Sequence, residues 1–239
     1  MIDKVLYDVR DGVAWITLNR PAVHNAIDRK MRDAIWEILD VAEADDDVGV
    51  VVFRGAGDAA FSAGADVSEF GTAPSYTDAR RARLERDLWG RILHFPKPTV
   101  AAIHGHTLGA GCELSLLCDC RIAAADARIV LPEVKLGYIP SAGGTQTLRR
   151  TIGRGRALDM LISAEPLTAD VALAQGFVSS VVQLDRLDAE AAALARRLLD
   201  QPSAALRAAR RALREGADLP LSEAIRFEAR LRQRLAAQR

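Results

Sequence analysis

The chain of 239 residues lacks net charge, because 32 acidic residues offset 32 basic ones. Without a global field it is not steered to nucleic acid or to an anionic membrane, so we expect neither as a partner. It also lacks long apolar runs: Val48–Phe53, with one glycine, is far too short to span a bilayer. The N-terminal segment MIDKVLYDVRDG has no apolar core and no cleavage pattern, which favours a cytoplasmic protein without a signal peptide.

Cysteine is scarce, and the odd number of three argues against a disulfide framework. His104 and His106 lie just before Cys112, Cys118 and Cys120, so a metal site has to be weighed. On one helix, Cys112 and Cys118 would lie about 240° apart, and Cys118 and Cys120 about 200° apart. Such side chains cannot converge on one ion. We therefore expect no metal and interpret the thiols as small apolar side chains in a packed helix.

Hydrophobic residues make up 49% of the chain, which excludes a disordered protein. Runs of β-branched residues separated by amphipathic stretches predict an α/β protein in which strand pairs and helices repeat about four times. The expected strands are Val13–Asn19, Val48–Arg54, Thr99–Ile103, Arg121–Ala124, Ile129–Val130 and Val178–Val182. The expected helices are Arg29–Ala44 with Asp28 as N-cap, Asp78–Leu93, Cys112–Cys118, Thr145–Thr151, Ala189–Leu199, Ser203–Glu215 and Ser222–Ala237.

The stretch Phe95–Asp119 is the most informative for chemistry. A predicted strand enters a turn with three glycines, and a helix follows. The first N–H groups of a helix have no intrahelical acceptor, and the helix dipole adds positive charge there. This helix start can therefore hold a developing oxyanion. Glu113 lies in the same first turn, so a carboxylate is expected beside those donors.

Two other stretches carry candidate groups. In Asp58–Phe70, a tight turn at Gly64 can present the N–H of Ala65. In Leu131–Arg150, Glu133 follows a proline in a glycine-rich loop, where functional carboxylates are common. The glycine turn before Glu113 has the spacing G-x-x-x-G-x-G and lacks the Lys-Ser/Thr pair of a phosphate-binding loop, so a nucleotide site is disfavoured.

Together, these stretches closely resemble the crotonase (enoyl-CoA hydratase/isomerase) family. The resemblance runs from about residue 5 to 185 and more loosely beyond. The matching segments are RPAVHNAI (Arg20–Ile27), AFSAGADVSEF (Ala60–Phe70), KPTVAAIHGHTLGAGCELSLLCD (Lys97–Asp119), LPEVKLGYIPSAGGTQTLRRTIG (Leu131–Gly153) and LTADVALAQGFVSSVV (Leu167–Val182).

The resemblance implies an α/β fold, a spiral of repeated ββα units with a C-terminal helical region. It divides the chain into a core at 1–185, with the CoA site and the active site, and a trimerisation region at 186–239. Family members usually continue for another helical turn or two, so this region is expected to be shorter than usual. The family also implies a homo-oligomer, either a trimer or a dimer of trimers.

The resemblance further implies that the backbone N–H groups of Ala65 and Ala110 hold the carbonyl oxygen of an acyl-CoA thioester. Many relatives have glycine where Ala110 stands, so this reading requires a negative φ there. Hydratases of the family carry two glutamates, matched by Glu113 and Glu133, whereas isomerases typically keep only the second. CoA enters as part of the substrate, and no separate cofactor is expected. The implied substrate and CoA contacts are Ala26, Ile27, Ala63, Gly64, Asp66, Val67, Gly109, Gly111, Pro132 and Gly137.

Three alternatives to a general enoyl-CoA hydratase stay open at this point. The first is an enoyl-CoA isomerase, and the second is a hydratase for branched or cyclic acyl chains. Residues that would shape the acyl pocket are Phe70, Tyr76, Trp89, Leu136, Tyr138 and Ile139. The third is a non-catalytic or RNA-binding protein, for which the tail offers a basic stripe. That stripe comprises Arg196, Arg197, Arg207, Arg210, Arg211 and Arg214, which we interpret first as a solvated face paired with acids of a neighbouring chain.

Overall fold

A computed structural model of the protein describes residues 3–72 and 75–237. The strands are β1 (Val5–Arg10), β2 (Val13–Leu18), β3 (Val50–Gly55), β4 (Ala60–Ser62), β5 (Thr99–Ile103), β6 (His106–Leu108), β7 (Cys120–Ala124), β8 (Arg128–Val130), β9 (Leu167–Thr168) and β10 (Val181–Val182). The helices are α1 (Arg29–Ala44), α2 (Tyr76–Glu85), α3 (Leu88–Leu93), α4 (Ala110–Leu117), α5 (Gly144–Ile152), α6 (Arg154–Ser163), α7 (Ala169–Ala174), α8 (Leu187–Leu199), α9 (Ser203–Gly216) and α10 (Leu221–Ala236).

The strands form two sheets, which the chain visits in turn. The larger has the order β1-β2-β3-β5-β7-β10 and the smaller the order β4-β6-β8-β9. The pairs β3/β4, β5/β6 and β7/β8 each place their first strand in the larger sheet and their second in the smaller. Helices separate the pairs, so the chain winds as a spiral of ββα units. This confirms the α/β arrangement predicted from the alternating pattern.

The central strands of the larger sheet, β2, β3 and β5, pair in parallel and are buried on both faces. One face packs against α1, α3 and α4, with Ile16, Phe53 and Ile103 fully buried between them. Helix α8 covers the other face through Leu187, Ala191 and Ala195. Burial on both faces explains why these parallel strands read as continuous apolar runs instead of alternating ones. Although α8 lies beyond residue 185, it is therefore packed onto the sheet of the core.

Several predicted elements need correction. The expected helix Asp78–Leu93 is two helices, α2 and α3, because Arg86 leaves helical geometry and Asp87 caps the second helix by accepting from the Gly90 N–H. The glycine turn at 105–111 contains strand β6, and the following helix begins at Ala110, two residues earlier than expected. The N-cap prediction is confirmed, since the Asp28 side chain accepts from the Met31 N–H at 2.8 Å.

The three cysteines do not lie together in one packed helix, which corrects the interpretation made from the sequence. Cys112 lies within α4, Cys118 ends it, and Cys120 begins β7. All three are free thiols, and the first two are buried. Burial raises the pKa of Cys118 to about 12, which keeps that thiol protonated and inert. Among the described residues, no helix is long and apolar enough to cross a membrane.

Two arginines of α9 bind the core rather than solvent or a neighbouring chain. Arg210 Nε donates to both carboxylate oxygens of Asp119 at 2.7 Å. Arg214 Nη2 lies 2.9 Å from Asp119 Oδ1 and also donates to the Leu117 carbonyl. The interpretation of the basic stripe as a solvated face is therefore wrong for these two residues. Their pairing fixes α9 against the end of α4.

Replacing this carboxylate should destabilise the protein. We expect Asp119→Asn to lower the free energy of unfolding by about 3 kcal/mol, because two guanidinium groups, 13% and 23% exposed, lose their charged partner. Urea denaturation measures the change. The control is Glu215→Gln, which breaks an exposed pair with Arg211 and should cost less than about 0.5 kcal/mol. Equal effects of the two substitutions would contradict the anchoring role.

Candidate active site

Two glycine turns bring separate parts of the chain into backbone contact. Gly64 has φ +93° and Gly109 has φ +49°, values that favour residues without a Cβ atom. A Cβ at Gly64 would lie 2.8 Å from the Leu108 carbonyl oxygen and 3.2 Å from the Ala110 nitrogen. Only a glycine lets these backbones approach so closely. The approach places the peptide that follows Gly64 beside the first peptide of α4.

The first N–H group at this junction belongs to Ala65. Its strand segment pairs with Ile27, whose N–H donates to the Gly64 carbonyl at 2.7 Å and whose carbonyl accepts from Asp66 at 3.0 Å. Successive N–H groups of an extended chain point to opposite sides, so Ala65 directs its N–H away from Ile27. Within the described residues this N–H has no acceptor.

The second N–H group belongs to Ala110, the first residue of α4. This position has no intrahelical acceptor, and the positive end of the helix dipole coincides with it. Ala110 is not among the described residues with positive φ, so its Cβ introduces no backbone strain. The sequence analysis required that an alanine at this position avoid a positive φ, and the backbone meets this requirement. Two backbone donors from different segments thus border the same cavity.

Backbone N–H groups at the start of another helix bind the carboxylate of Glu113. The residue lies in the first turn of α4 and is 2% exposed. Its Oε1 accepts from the backbone N–H of Ala142 at 2.7 Å and of Gly144 at 2.8 Å. Gly144 is the first residue of α5, so the positive end of that helix also faces the carboxylate. These contacts stabilise the ionised form and fix the direction of the side chain.

Glu133 lies in a contrasting environment. It begins a 3₁₀ turn after Pro132, and its Oε2 is buried without a hydrogen-bond partner among the described residues. Burial raises the pKa of Glu133 to about 7, with a smaller contribution from the negative charge of Glu113. Its Oε1 lies 3.1 Å from where a Cβ would stand on Gly109. A carboxyl that can carry a proton at neutral pH thus rests against the turn that presents Ala110.

A cavity of about 500 Å³ borders Ala65, Ala110 and Glu113, whereas Glu133 is not part of its described lining. Its lining includes Ala65 and Ala110, which supply the two N–H groups, and Glu113, together with Trp89 and Ala142. The site therefore combines hydrogen-bond donors for a negative oxygen with a fixed carboxylate. The protonatable Glu133 lies next to the donors. This combination suits additions and proton shifts beside a carbonyl group.

Comparison with known proteins gives the context of this site. A profile of the enoyl-CoA hydratase/isomerase family matches residues 8–239. The chain is 39% identical to the 2,3-dehydroadipyl-CoA hydratase of Escherichia coli (strain K12), over 99% of this chain and 91% of that protein. It is 33% identical to a short-chain-enoyl-CoA hydratase of Clostridium acetobutylicum, over 95% of this chain and 87% of that protein. The chain belongs to the enoyl-CoA hydratase/isomerase (crotonase) family.

Solved structures agree with this assignment. The enoyl-CoA hydratase of Bacillus anthracis superposes with a TM-score of 0.91 at 33% identity, covering 97% of this chain and 90% of that one. A Thermobifida fusca protein solved in complex with CoA gives a TM-score of 0.91 at 29% identity, covering 98% and 93%. The crotonase fold predicted from the sequence motifs is confirmed. The division at residue 185 stays a prediction.

The remaining residues predicted from the crotonase motifs fall into two groups. Ile27 and Asp66 line the cavity, and hydrogen bonds from Ser68 and Arg20 lower the pKa of Asp66, keeping it ionised. The others are not part of the described lining and support or flank it. Gly111 packs against Ser62, Gly109 contacts Glu133, and Val67 is 61% exposed. The rest of this second group is Ala26, Ala63, Gly64, Pro132 and Gly137.

The predicted acyl-pocket residues are only partly brought together. Phe70 and Trp89 line the cavity. Tyr138 contacts Phe70 edge to face, with ring centroids 5.7 Å apart, whereas Leu136 and Ile139 are exposed and outside the lining. The side chain of Tyr76 lies outside the described residues.

Sequence reasoning missed the donors that hold Glu113. Ala142 and Gly144 act through backbone N–H groups, which leave no side-chain signature. The glycine pair at 143–144 was the available signal. A Cβ at Gly144 would lie 2.9 Å from Glu113 Oε1, so the absence of a side chain is required for this contact. Asn25 was missed as well. Its buried amide donates to the carbonyls of Ala56 and Ala60 and so supports the connection between β3 and β4.

Adding a methyl group at Gly144 should displace the carboxylate of Glu113. We expect Gly144→Ala to lower kcat about a hundredfold, because a misplaced catalytic group costs about this much. Steady-state kinetics with an enoyl-CoA substrate measures the change. Gly155→Ala is the matched control, since a Cβ there meets no atom within 4 Å. Unchanged kcat in Gly144→Ala would show that these hydrogen bonds do not position Glu113.

Proposed function

We propose that the protein is an enoyl-CoA hydratase, which adds water across the 2,3-double bond of a trans-2-enoyl-CoA to give a 3-hydroxyacyl-CoA. The observation that carries this proposal is the placement of two carboxyl groups around one peptide. Glu113 follows the Gly109–Ala110 peptide on α4. Glu133, which comes from the segment after β8, lies against Gly109. The N–H of the Gly109–Ala110 peptide is a donor for the thioester oxygen.

In the proposed reaction, Glu113 accepts a proton from water as the water oxygen bonds to Cβ. The electron pair of the double bond moves to Cα and onto the thioester carbonyl, whose oxygen becomes negative. The N–H groups of Ala65 and Ala110 stabilise that charge. Glu133 donates its proton to Cα, and proton transfer from Glu113 to Glu133 restores the starting state. Protons and water are the only species moved, so the proposed chemistry uses no redox cofactor.

The substrate and CoA contacts are also part of the proposal. The cavity wall formed by Ile27, Ala65 and Asp66 is proposed to hold the CoA moiety, in line with the CoA complex of the Thermobifida fusca relative. The substrates in the names of the two relatives differ at the far end of the acyl chain. This end is a carboxylate in dehydroadipyl-CoA and neutral in short-chain enoyl-CoA. Membership of the family therefore does not set acyl preference.

We further propose that the protein acts as a homotrimer, or a pair of trimers, in the cytoplasm. Helices α9 and α10 support assembly, because Leu213, Leu221 and Ile225 are 78%, 77% and 58% exposed in the single chain. Exposed apolar side chains on neighbouring helices are typical of subunit contacts. The free thiols of the three cysteines fit a reducing compartment.

The direct test uses crotonyl-CoA and follows the loss of its conjugated thioester absorbance. The wild type should hydrate it, and Glu113→Gln and Glu133→Gln should each lower kcat by about a hundred- to ten-thousandfold, the contribution of a general acid or base. Glu165→Gln, which changes a 75% exposed carboxylate outside the cavity, is the matched control and should keep its rate.

Failure would take one of two forms. Without hydration of crotonyl-CoA or of longer 2-enoyl-CoAs by the wild type, the hydratase assignment is wrong. Conversion of 3-enoyl-CoA to 2-enoyl-CoA without hydration would establish the isomerase alternative instead.

A further inference from the structure

The guanidinium group of Arg20 lies beside the segment that carries the Ala65 N–H group. Arg20 follows β2 in the chain, and its side chain is 20% exposed. Its Nη1 donates to the carbonyl oxygen of Ala26 at 2.7 Å and to Asp66 Oδ2 at 2.9 Å. One side chain therefore ties together two segments that are distant in the sequence.

Two peptide groups connect this guanidinium group with the Ala65 N–H. The carbonyl of the first peptide, Ala26–Ile27, accepts from Arg20. The N–H of the same peptide donates to the Gly64 carbonyl at 2.7 Å. That carbonyl and the Ala65 N–H belong to one planar peptide, and in a trans peptide the two bonds point in opposite directions. The hydrogen bonds therefore run in series from Arg20 through both peptides to the N–H of Ala65.

Arg20 is itself fixed at its backbone. Its N–H donates to Asn25 Oδ1 at 2.9 Å, and its carbonyl accepts from the Asn25 N–H at 2.9 Å. The buried amide group of Asn25 in turn donates to the carbonyls of Ala56 and Ala60. The guanidinium group thus extends from an anchored backbone, so it can define the position of the peptide that it binds.

The charges around Arg20 balance. Asp66 and Asp28 lie 2.9 and 3.5 Å from its Nη1, and Lys4 also pairs with Asp28. Because two cations face two carboxylates, this cluster adds no net charge to the cavity. The contribution of Arg20 is direction, since its planar donors hold a backbone carbonyl and a carboxylate at the same time. Linked hydrogen bonds also polarise one another, which makes the last N–H of the series a better donor.

We propose that Arg20 is a positioning residue for the Ala65 N–H, which it aligns and strengthens as a donor through the two intervening peptides. Arg20 is not part of the described cavity lining, so it acts without touching the substrate. The inference rests on the proposed function, of which it uses only the binding of the thioester oxygen by Ala65. A donor that turns away from the developing negative charge no longer gives the stabilisation of a preorganised one.

The first test measures the strength of the donor with a bound chromophore. The probe is 4-(dimethylamino)cinnamoyl-CoA, a conjugated thioester whose absorbance moves to longer wavelength when negative charge on its carbonyl oxygen is stabilised. We expect a smaller red shift in Arg20→Gln than in the wild type, because a misaligned N–H polarises the carbonyl less. In Arg20→Lys, which keeps the charge, part of the shift should return. A role of Arg20 in stability alone would not move the spectrum of the probe bound to folded protein.

Kinetics with crotonyl-CoA give the second readout. We expect Arg20→Gln to lower kcat about ten- to a hundredfold, since a displaced donor keeps part of the effect that is lost when a donor is deleted. KM should change little, because the hydrogen bond from Ala65 strengthens in the transition state. The kcat of Arg20→Lys should lie between those of the wild type and Arg20→Gln.

Arg10→Gln is the matched control. Arg10 pairs with Asp8 on β1, both side chains are more than half exposed, and neither belongs to the described cavity lining. Its red shift and its kcat should equal those of the wild type. Thermal unfolding of each variant shows that it is folded at the assay temperature, and the spectra are compared at saturating probe.

Two results would overturn the inference while leaving the proposed function intact. One is a wild-type red shift in folded Arg20→Gln, whatever its kcat. The other is a rise in KM at unchanged kcat, which would assign Arg20 to the binding of CoA. A wild type that shifts the probe without hydrating crotonyl-CoA would contradict the proposed hydration and leave the role of Arg20 standing. Absence of a red shift in the wild type would contradict Ala65 as a donor, and the inference with it.

Discussion

Two hydrogen bonds to a single oxygen of Glu113 set the arrangement of the active site. The donors are the N–H groups of Ala142 and Gly144, at the start of α5, and the acceptor is on α4. The starts of the two helices thereby come together. The start of α5 holds the carboxylate of Glu113, and the start of α4 presents the N–H of Ala110, three residues before Glu113. Because the Glu113 carboxylate joins the two helices, it keeps a fixed position relative to the N–H group of Ala110. The spiral winding of the chain is what brings α4 and α5 together.

The two carboxyl groups differ because their surroundings differ. Glu113 is buried but receives N–H donors, which favour its charged form. Glu133 has a buried oxygen without a donor among the described residues, which disfavours its charged form. Hydration requires both properties at once, since a base must take a proton from water while an acid gives one to carbon. In the proposed hydration, the two carboxyl groups together therefore carry one proton.

The sequence predicted the parts of this account that depend on residue type and order. Three- and four-residue apolar spacing located α1, and runs of β-branched residues located the buried strands. The motif around Glu113 placed this residue in the first turn of a helix. Patterns failed where tertiary contacts decide. The break between α2 and α3 depends on the capping of a short helix by Asp87, and β6 is too short to show a period. The donors Ala142 and Gly144 act through the backbone, which leaves no side-chain pattern in the sequence.

The pH dependence of kcat/KM for enoyl-CoA hydration tests the one-proton pair most directly, because this parameter reports the ionisation of the free enzyme. The pKa of Glu133 is raised to about 7, so the pair loses its last proton as the pH rises through that value. The account predicts that kcat/KM falls above about pH 7, approaching tenfold per pH unit. The same limb should appear for dehydration of the 3-hydroxyacyl-CoA, since both directions need one proton on the pair. A kcat/KM that stays level up to pH 9 would contradict the assignment of Glu133 as the proton donor.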